Sequence, residues 1–291
     1  MVYLKKLILP SERAEDAVIM SERRTCFNGF YPFKLFPAKE LKALEFEGVT
    51  MLYGGNGSGK STLINVMARK INAIRYSEFN SSPFFDKYVD LSSIEWARRP
   101  GACSVLTSDD VFDYSLSARA INENIDEKRN DLFDRYVQTY GEAIKNPELG
   151  ILKGLDDYER WREVRDIISP RKSQSDYVRA RTARDIDLFS NGETAMRYFV
   201  DRIDSDGLYF LDEPENSLSI ERQIELCEYI AATALATKSQ FVIATHSPIF
   251  LSMKNAKIYD LDSYPVAVRR WTELPNVRKY FDFFMEHKEE F

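Results

Sequence analysis

Histidine is scarce in this 291-residue chain, which has only His246 and His287. Cysteine is little commoner: Cys26, Cys103 and Cys227 lie far apart, are odd in number and share no metal-ligand spacing. That excludes a disulfide framework and a cysteine zinc site, and the three read as reduced packing residues of a cytosolic protein. No apolar run approaches the ~20 residues of a membrane span, and the apolar part of "MVYLKKLILP" is too short for a secretory signal. A soluble, cytoplasmic protein without a membrane partner is expected. An excess of positive charge is also missing. The net charge of −6 argues against a whole-body field for nucleic acid and leaves room only for a local basic patch. There is no internal repeat and no low-complexity tract.

What is present is ordinary in bulk and uneven along the chain. Apolar content is 44% and charged content 30%, usual for a globular protein, and a chain this long buries roughly 75% of its unfolded surface. Up to about Glu47, strand-like pieces ("MVYLKKLIL", "TCFNGFYPF") are broken by prolines. "GVTMLY" (48–53), "GLYFL" (207–211) and "QFVIAT" (240–245) are short, nearly continuous apolar runs, as strands buried on both faces of a parallel sheet are. "KIYDL" and "PVAVRRW" read as edge strands. Leu63, Ile64, Met67, Ile71 and Ile74 recur at helical spacing, "SIERQIELCEYIAATALAT" reads as a helix, and aromatics and charges alternate at helical spacing from Pro275 to Phe291. Between about 113 and 204 the texture is charged and helical, with "SPRKSQS" as a loop signal. The expectation is one domain over 1–291, an α/β body (about 1–112 and 205–291) interrupted by a mostly helical lobe (about 113–204).

Three motifs carry chemistry. "GGNGSGKST" (54–62) satisfies G-x-x-x-x-G-K-[ST] after a strand and before a helix. Gly54, Gly55, Asn56, Gly57, Ser58, Gly59, Lys60, Ser61 and Thr62 would wrap phosphate oxygens at the positive end of that helix. Lys60 would reach the β- and γ-phosphates of ATP, and the Ser61 hydroxyl would ligate Mg²⁺. "GLYFLDEPENSLS" delivers Asp212 and Glu213 at a strand's carboxyl end, where open α/β sheets bind ligands. Asp212 would hold the Mg²⁺ shell. Glu213 would orient or deprotonate the attacking water, a role worth ~10²–10⁴ in rate; Pro214 disfavours the α region there. His246 ends the run "FVIATHSP" and would position the water or donate to the γ-phosphate.

This order of motifs, with "FSNGE" between the phosphate loop and the carboxylates, resembles the ABC-class ATPases. It is most similar to the soluble branch with SMC and RecF-type proteins and small stand-alone bacterial ATPases, over about 48–76 and 188–252. The resemblance implies a P-loop NTPase fold, an ABC-ATPase-like sheet core with the helical lobe inserted. It also implies head-to-tail closure of a homodimer around two nucleotides, reopened by hydrolysis. Ser190, Asn191, Gly192 and Glu193 would form the signature acting in trans, with Ser190 and Gly192 on the γ-phosphate held by the opposite copy. Residues 215–219 would be the loop crossing the interface, with Asn216 and Leu218 nearest the partner. The sequence departs from the pattern at Asn191, where glycine is common, and at Glu193, a glutamate form commoner in the SMC-like branch. It has no clear glutamine after the phosphate loop, a place that falls to Asp109 or Asp110. The 130 residues between Lys60 and Ser190 are too few for a long coiled coil. Phe30 or Tyr31 would be the aromatic stacking on adenine.

Ser190 and Glu193 are also spaced as a capping box, in which each side chain satisfies an N–H of a helix start. Eight basic residues lie between Arg160 and Arg184 against three acids: a solvated face, or a stripe for a nucleic-acid backbone or an acidic partner. The expected function is a switch powered by ATP acting on DNA or on an effector, such as a nuclease, in phage defence or repair. The alternatives are a transporter's nucleotide-binding subunit and a scaffold that binds ATP without hydrolysis.

Overall fold

The computed structural model describes every residue except 25, 28, 152–157, 169–172, 184–190 and 204–205, and the side chains of 147, 150, 191 and 192 are likewise not described. The chain opens with β1 (Leu4–Ile8), α1 (Glu12–Ser21), β2 (Ala43–Glu45) and β3 (Val49–Tyr53). There follow α2 (Lys60–Ile71), α3 (Phe85–Leu91), β4 (Ser93–Trp96), β5 (Ala102–Thr107), α4 (Ser108–Lys145), α5 (Tyr158–Ile168) and α6 (Gln174–Arg179). The last third comprises α7 (Asn191–Arg202), β6 (Gly207–Asp212), α8 (Ile220–Ala236), β7 (Gln240–Thr245), α9 (Pro248–Leu251), β8 (Lys257–Asp260), β9 (Ala267–Val268) and α10 (Pro275–Glu286).

The apolar runs pair as their composition demands. A six-stranded sheet has the order β5-β6-β7-β3-β8-β9, parallel throughout except for β8–β9. Strands β3 and β7 are buried at every position, so apolar side chains serve both faces. Leu52, Leu208, Phe210, Val242 and Ala244 share one core with Leu63, Ile64 and Met67 of α2 and with Phe85 and Tyr88 of α3. Alternation puts Met51, Tyr209, Leu211, Phe241 and Ile243 on the opposite face, all buried. There Tyr209 and Phe241, paired in register, stack with ring centroids 5.4 Å apart. A second, antiparallel sheet runs β2-β1-β4. Side chains tie it to the first: Tyr259 Oη of β8 accepts from the Glu45 N–H and donates to the Glu45 carbonyl of β2, both at 2.9 Å. The fully buried Gln240 accepts from the N–H groups of Tyr3 and Leu4 and donates to the carbonyls of Leu4 and Glu47, all within 2.9 Å.

By its internal contacts the chain forms two compact units, Met1–Asp113 with Ser190–Phe291, and Tyr114–Phe189. The second has its own small core, Ile167, Tyr177 and Val178 with Leu132, Phe133 and Tyr136 packed against it. Helix α7, which the sequence reading put in the lobe, is grouped with the sheet; its Ala195, Tyr198 and Phe199 are buried.

Three local expectations are corrected. The N-terminal segment holds a helix as well as strands. Ser11 caps α1 by accepting from Ala14 N–H, although only Glu15 of that helix is buried and the apolar pattern is faint. "TCFNGFYPF" contributes no strand among its described residues; it supplies Phe27, Phe30, Tyr31 and Phe33 to the core beside Phe84 and Tyr88. "KIYDL" is an interior strand, β8, between β3 and β9. Its buried Asp260 is paired with Arg269 at 3.1 Å, which is how a polar residue sits inside the sheet.

A candidate nucleotide site at the carboxyl edge of the parallel sheet

Strands β3, β5, β6 and β7 all end at one edge, and the polar residues that follow them converge there. After β3 the backbone turns through Gly57 (φ 80°) and Gly59 (φ 101°) into α2. Gly54 has no room for more than hydrogen: a Cβ there would lie 2.5 Å from Ser58 Oγ. Asp262, beyond β8, accepts from Gly55 N–H at 2.7 Å and holds the base of the loop. The helix begins at Lys60, so its first N–H groups and the positive end of its dipole face the turn.

The Lys60 ammonium is 4% exposed and fully engaged: it donates to Gly54 O (2.7 Å) and Gly55 O (3.1 Å) and pairs with Glu213 Oε1 at 3.2 Å. Ser61 Oγ donates to Asp212 Oδ1 at 3.0 Å. Burial pushes the Asp212 carboxyl up to about 6, helped by the neighbouring Glu213 charge, while the Ser61 hydroxyl, Arg75 and Lys60 pull it down. A hydroxyl and a carboxylate side by side are hard oxygen donors of the kind Mg²⁺ takes, and the turn of N–H groups and Lys60 suits phosphates. The residues present therefore fit both groups.

Glu213 stands in the left-handed region (φ 48°, ψ 52°), which costs a non-glycine residue ~1–2 kcal/mol. Pro214 does keep it out of the right-handed helix. The strained turn is held by Glu213 N–H donating to Ala244 O (2.9 Å) and by Asn216 Nδ2 donating to Glu213 Oε2 (3.0 Å). Glu213 Oε1 thereby lies near both Lys60 Nζ (3.2 Å) and His246 Nδ1 (4.0 Å).

Part of this set borders a cleft of about 540 Å³, whose lining does not include Lys60 or His246. Gly57, Gly59, Ser61, Thr62, Asp212, Glu213 and Asn216 line it, with Tyr31, Leu35 and Phe79 at its apolar side. Of the two aromatics suggested for adenine, only Tyr31 is there, its hydroxyl 2.8 Å from Thr62 Oγ1; Phe30 packs against Phe84 instead. Of the two acids at the end of β5, Asp109 lines the cleft. Asp110 is turned back, its carboxylate accepting from Thr107 N–H (2.8 Å) while its own N–H donates to Thr107 Oγ1 (3.1 Å), a reciprocal cap on α4. A larger, apolar groove of about 610 Å³ lies beside α8 and α9 and holds no comparable set of charged groups.

Ser190 lies outside the described residues, and so does its half of the expected capping box. Helix α7 begins at Asn191, and Glu193 in its first turn pairs with Arg222 at 3.2 Å. Leu218, expected near a partner, is buried. Asn216 is turned onto Glu213 of its own chain.

Sequence reasoning missed two residues here. Arg75 is half buried in the cleft, bonded to Asn65 Oδ1 and to Ser77 O (2.9 Å). Burial presses its guanidinium pKa down while Asp212, Asp110 and Asp109 pull it up. It follows the Asn72 cap, which ends α2 at Ile71 and leaves Ile74, expected on the helical spacing, outside the helix; nothing in the sequence marks Arg75. Glu215 is buried against the turn after β7; its place in "PENSLS" was visible, but its partners, thirty residues away, were not.

Comparisons with known proteins bear on the family. No curated protein matches the chain. Among solved structures, the Smc head domain with an extended coiled coil bound to the C-terminal domain of ScpA, from Pyrococcus furiosus, is 14% identical, covering 99% of this chain and 100% of that one with a TM-score of 0.41. The SMC head domain from Thermotoga maritima is 15% identical, over 92% and 98%, with a TM-score of 0.37. "An inward-facing conformation of a putative metal-chelate type ABC transporter" is 16% identical, over 80% and 76%, with a TM-score of 0.32. A family model described as "AAA domain, putative AbiEii toxin, Type IV TA system" matches residues 88–252, more than half the chain. The chain, with its parallel sheet, glycine turn between β3 and α2 and paired carboxylates after β6, belongs to that AAA-domain family.

Proposed function

We propose that this chain binds MgATP in the cleft at the carboxyl edge of the sheet and hydrolyses it. The observation that carries the reading is the meeting of Lys60, Ser61, Asp212 and Glu213, which come from two segments 150 residues apart in sequence, within hydrogen-bond or ion-pair distance. The glycine turn and the α2 N-terminus hold the phosphates, with Lys60 on the β- and γ-phosphates. Ser61 and Asp212 hold Mg²⁺, which when bound neutralises phosphate charge. A γ-phosphate at Lys60 draws the ammonium from Glu213, freeing that carboxylate to take the proton of an attacking water. His246 stands beside Glu213 to orient the water or donate to the phosphate. Tyr31 is the aromatic wall for the base.

Hydrolysis serves a switch. Two copies close head-to-tail over two nucleotides, with Ser190 and Gly192 of each serving the nucleotide held by the other. The closed form acts on an effector protein or on DNA. The family description, which names a toxin of a type IV toxin–antitoxin system, supports a defence role for that effector.

The test is phosphate release from purified protein with ATP and Mg²⁺. Glu213→Gln should lower kcat by ~10²-fold or more while still binding ATP, and Lys60→Ala should lose ATP binding. Unchanged turnover in Glu213→Gln removes the assignment of the base.

A further inference from the structure

Glu215 has no part in the reading above, and it does not line the cleft. It is nonetheless 6% exposed, and a carboxylate so placed is costly unless strongly hydrogen-bonded. The bonds are there, and all fall on one oxygen. Glu215 Oε1 accepts from Thr245 Oγ1 (2.6 Å), His246 N–H (2.8 Å) and Ser247 N–H (3.2 Å). The same oxygen stands 3.4 Å from His246 Nδ1. Three donors converging on one atom determine where β7 stops and how the backbone turns at His246. An apolar residue would fill the space but leave the His246 N–H without its acceptor, while the Ser247 N–H would keep only its bond to Thr245 Oγ1 (3.0 Å).

A second clasp joins the same two segments. Ser247 Oγ donates to Gln223 Oε1 (2.7 Å), and Gln223 Nε2 donates to Leu218 O (3.1 Å). The loop 215–219 is thus fastened at its start by Glu215 and at its end through Gln223, both times to the turn carrying His246. We propose that Glu215 is a positioning residue for His246, and that Glu215 and Gln223 make the 215–219 loop and the His246 turn move as one body. Any displacement of that loop, which begins two residues after Glu213, then carries the imidazole with it. The proposal rests on the ATPase reading.

The experiment measures kcat, ATP affinity and melting midpoint for wild type, Glu215→Ala, Glu215→Gln, His246→Ala and the Glu215→Ala/His246→Ala double variant. Glu215→Ala should lower kcat about tenfold or more with ATP affinity within about twofold. Glu215→Gln, whose amide oxygen still accepts, should recover kcat to within about threefold of wild type. In the His246→Ala background, Glu215→Ala should change kcat less than about twofold, because residues acting through one another are not additive. If Glu215→Ala does not fold, Gln223→Ala takes its place in the cycle, with a smaller kcat loss that also vanishes in His246→Ala. Losses that multiply, or a His246→Ala variant with wild-type kcat, overturn the proposal while the ATPase reading stands. A wild type that hydrolyses nothing overturns both.

Discussion

Asp212 sits in an environment that contradicts its ordinary chemistry. Burial raises its carboxyl to about 6, above the ~3.9 of an unfolded chain, so the folded state holds the proton more tightly than the unfolded one. The stability from that difference is complete below about pH 4 and is lost as the pH rises through 6. Asp212→Asn should therefore exceed wild type at pH 7.5, on the order of 2–3 kcal/mol, and match it near pH 4; urea denaturation at the two pH values checks this. The same variant should lose hydrolysis, since an amide is a poor Mg²⁺ ligand. Glu213 presents a second conflict. Its ion pair with Lys60 competes with any phosphate that approaches the ammonium, so Glu213→Gln should bind ATP about threefold or more tighter, read by titration with a fluorescent ATP analogue.

At the level of elements, the sheet places the chemistry. Asp212, Glu213, Thr245, His246 and the phosphate loop converge because β3, β6 and β7 are adjacent, parallel and in register, Asp212 opposite Ala244 and Tyr53 opposite Thr245. That adjacency depends on buried polar contacts as well as on apolar packing. Gln240 satisfies four backbone groups of β1 and of the approach to β3. Gln240→Leu would keep the side chain's volume but leave all four unpaired, a loss of about 3–5 kcal/mol or more in the denaturation midpoint without a change in slope. Gln240→Glu should retain part of that stability as the neutral acid, whose carbonyl oxygen accepts from the Tyr3 and Leu4 N–H groups and whose hydroxyl donates to one of the two carbonyls.

For the whole molecule, closure of two copies is the testable property. Glu213→Gln with ATP and Mg²⁺ should elute as a dimer on size exclusion, and Lys60→Ala should not respond to ATP. Ser190→Arg should bind ATP as a monomer and fail to dimerise; loss of monomer affinity would return that stretch to capping a helix. The overall charge of −6 limits nucleic acid to a local contact. In the described part of the basic stretch, Arg181 is paired with Asp166 and Arg165 lies over Trp161, while Arg160, Arg162 and Arg179 are exposed. If DNA stimulates hydrolysis through those residues, the stimulation should fall steeply between 50 and 200 mM salt.

The sequence alone marked the candidate site, since a G-x-x-x-x-G-K-[ST] loop and a strand-end carboxylate pair are each recognisable from neighbouring residues. It also determined the buried strands, whose apolar runs need no partner to be seen. Other features arise between residues far apart in the chain. The strand order, the choice of Tyr31 over Phe30 and of Asp109 over Asp110, and the entry of Arg75 into the cleft depend on which elements pack together. The tie of Glu215 to His246 is of the same kind. "LFSNGE" is readable only as spacing, and whether Ser190 serves a partner depends on a surface that a second copy completes. Local spacing encodes what one segment can do; a buried carboxylate finds its partners only when the fold brings them within 3 Å.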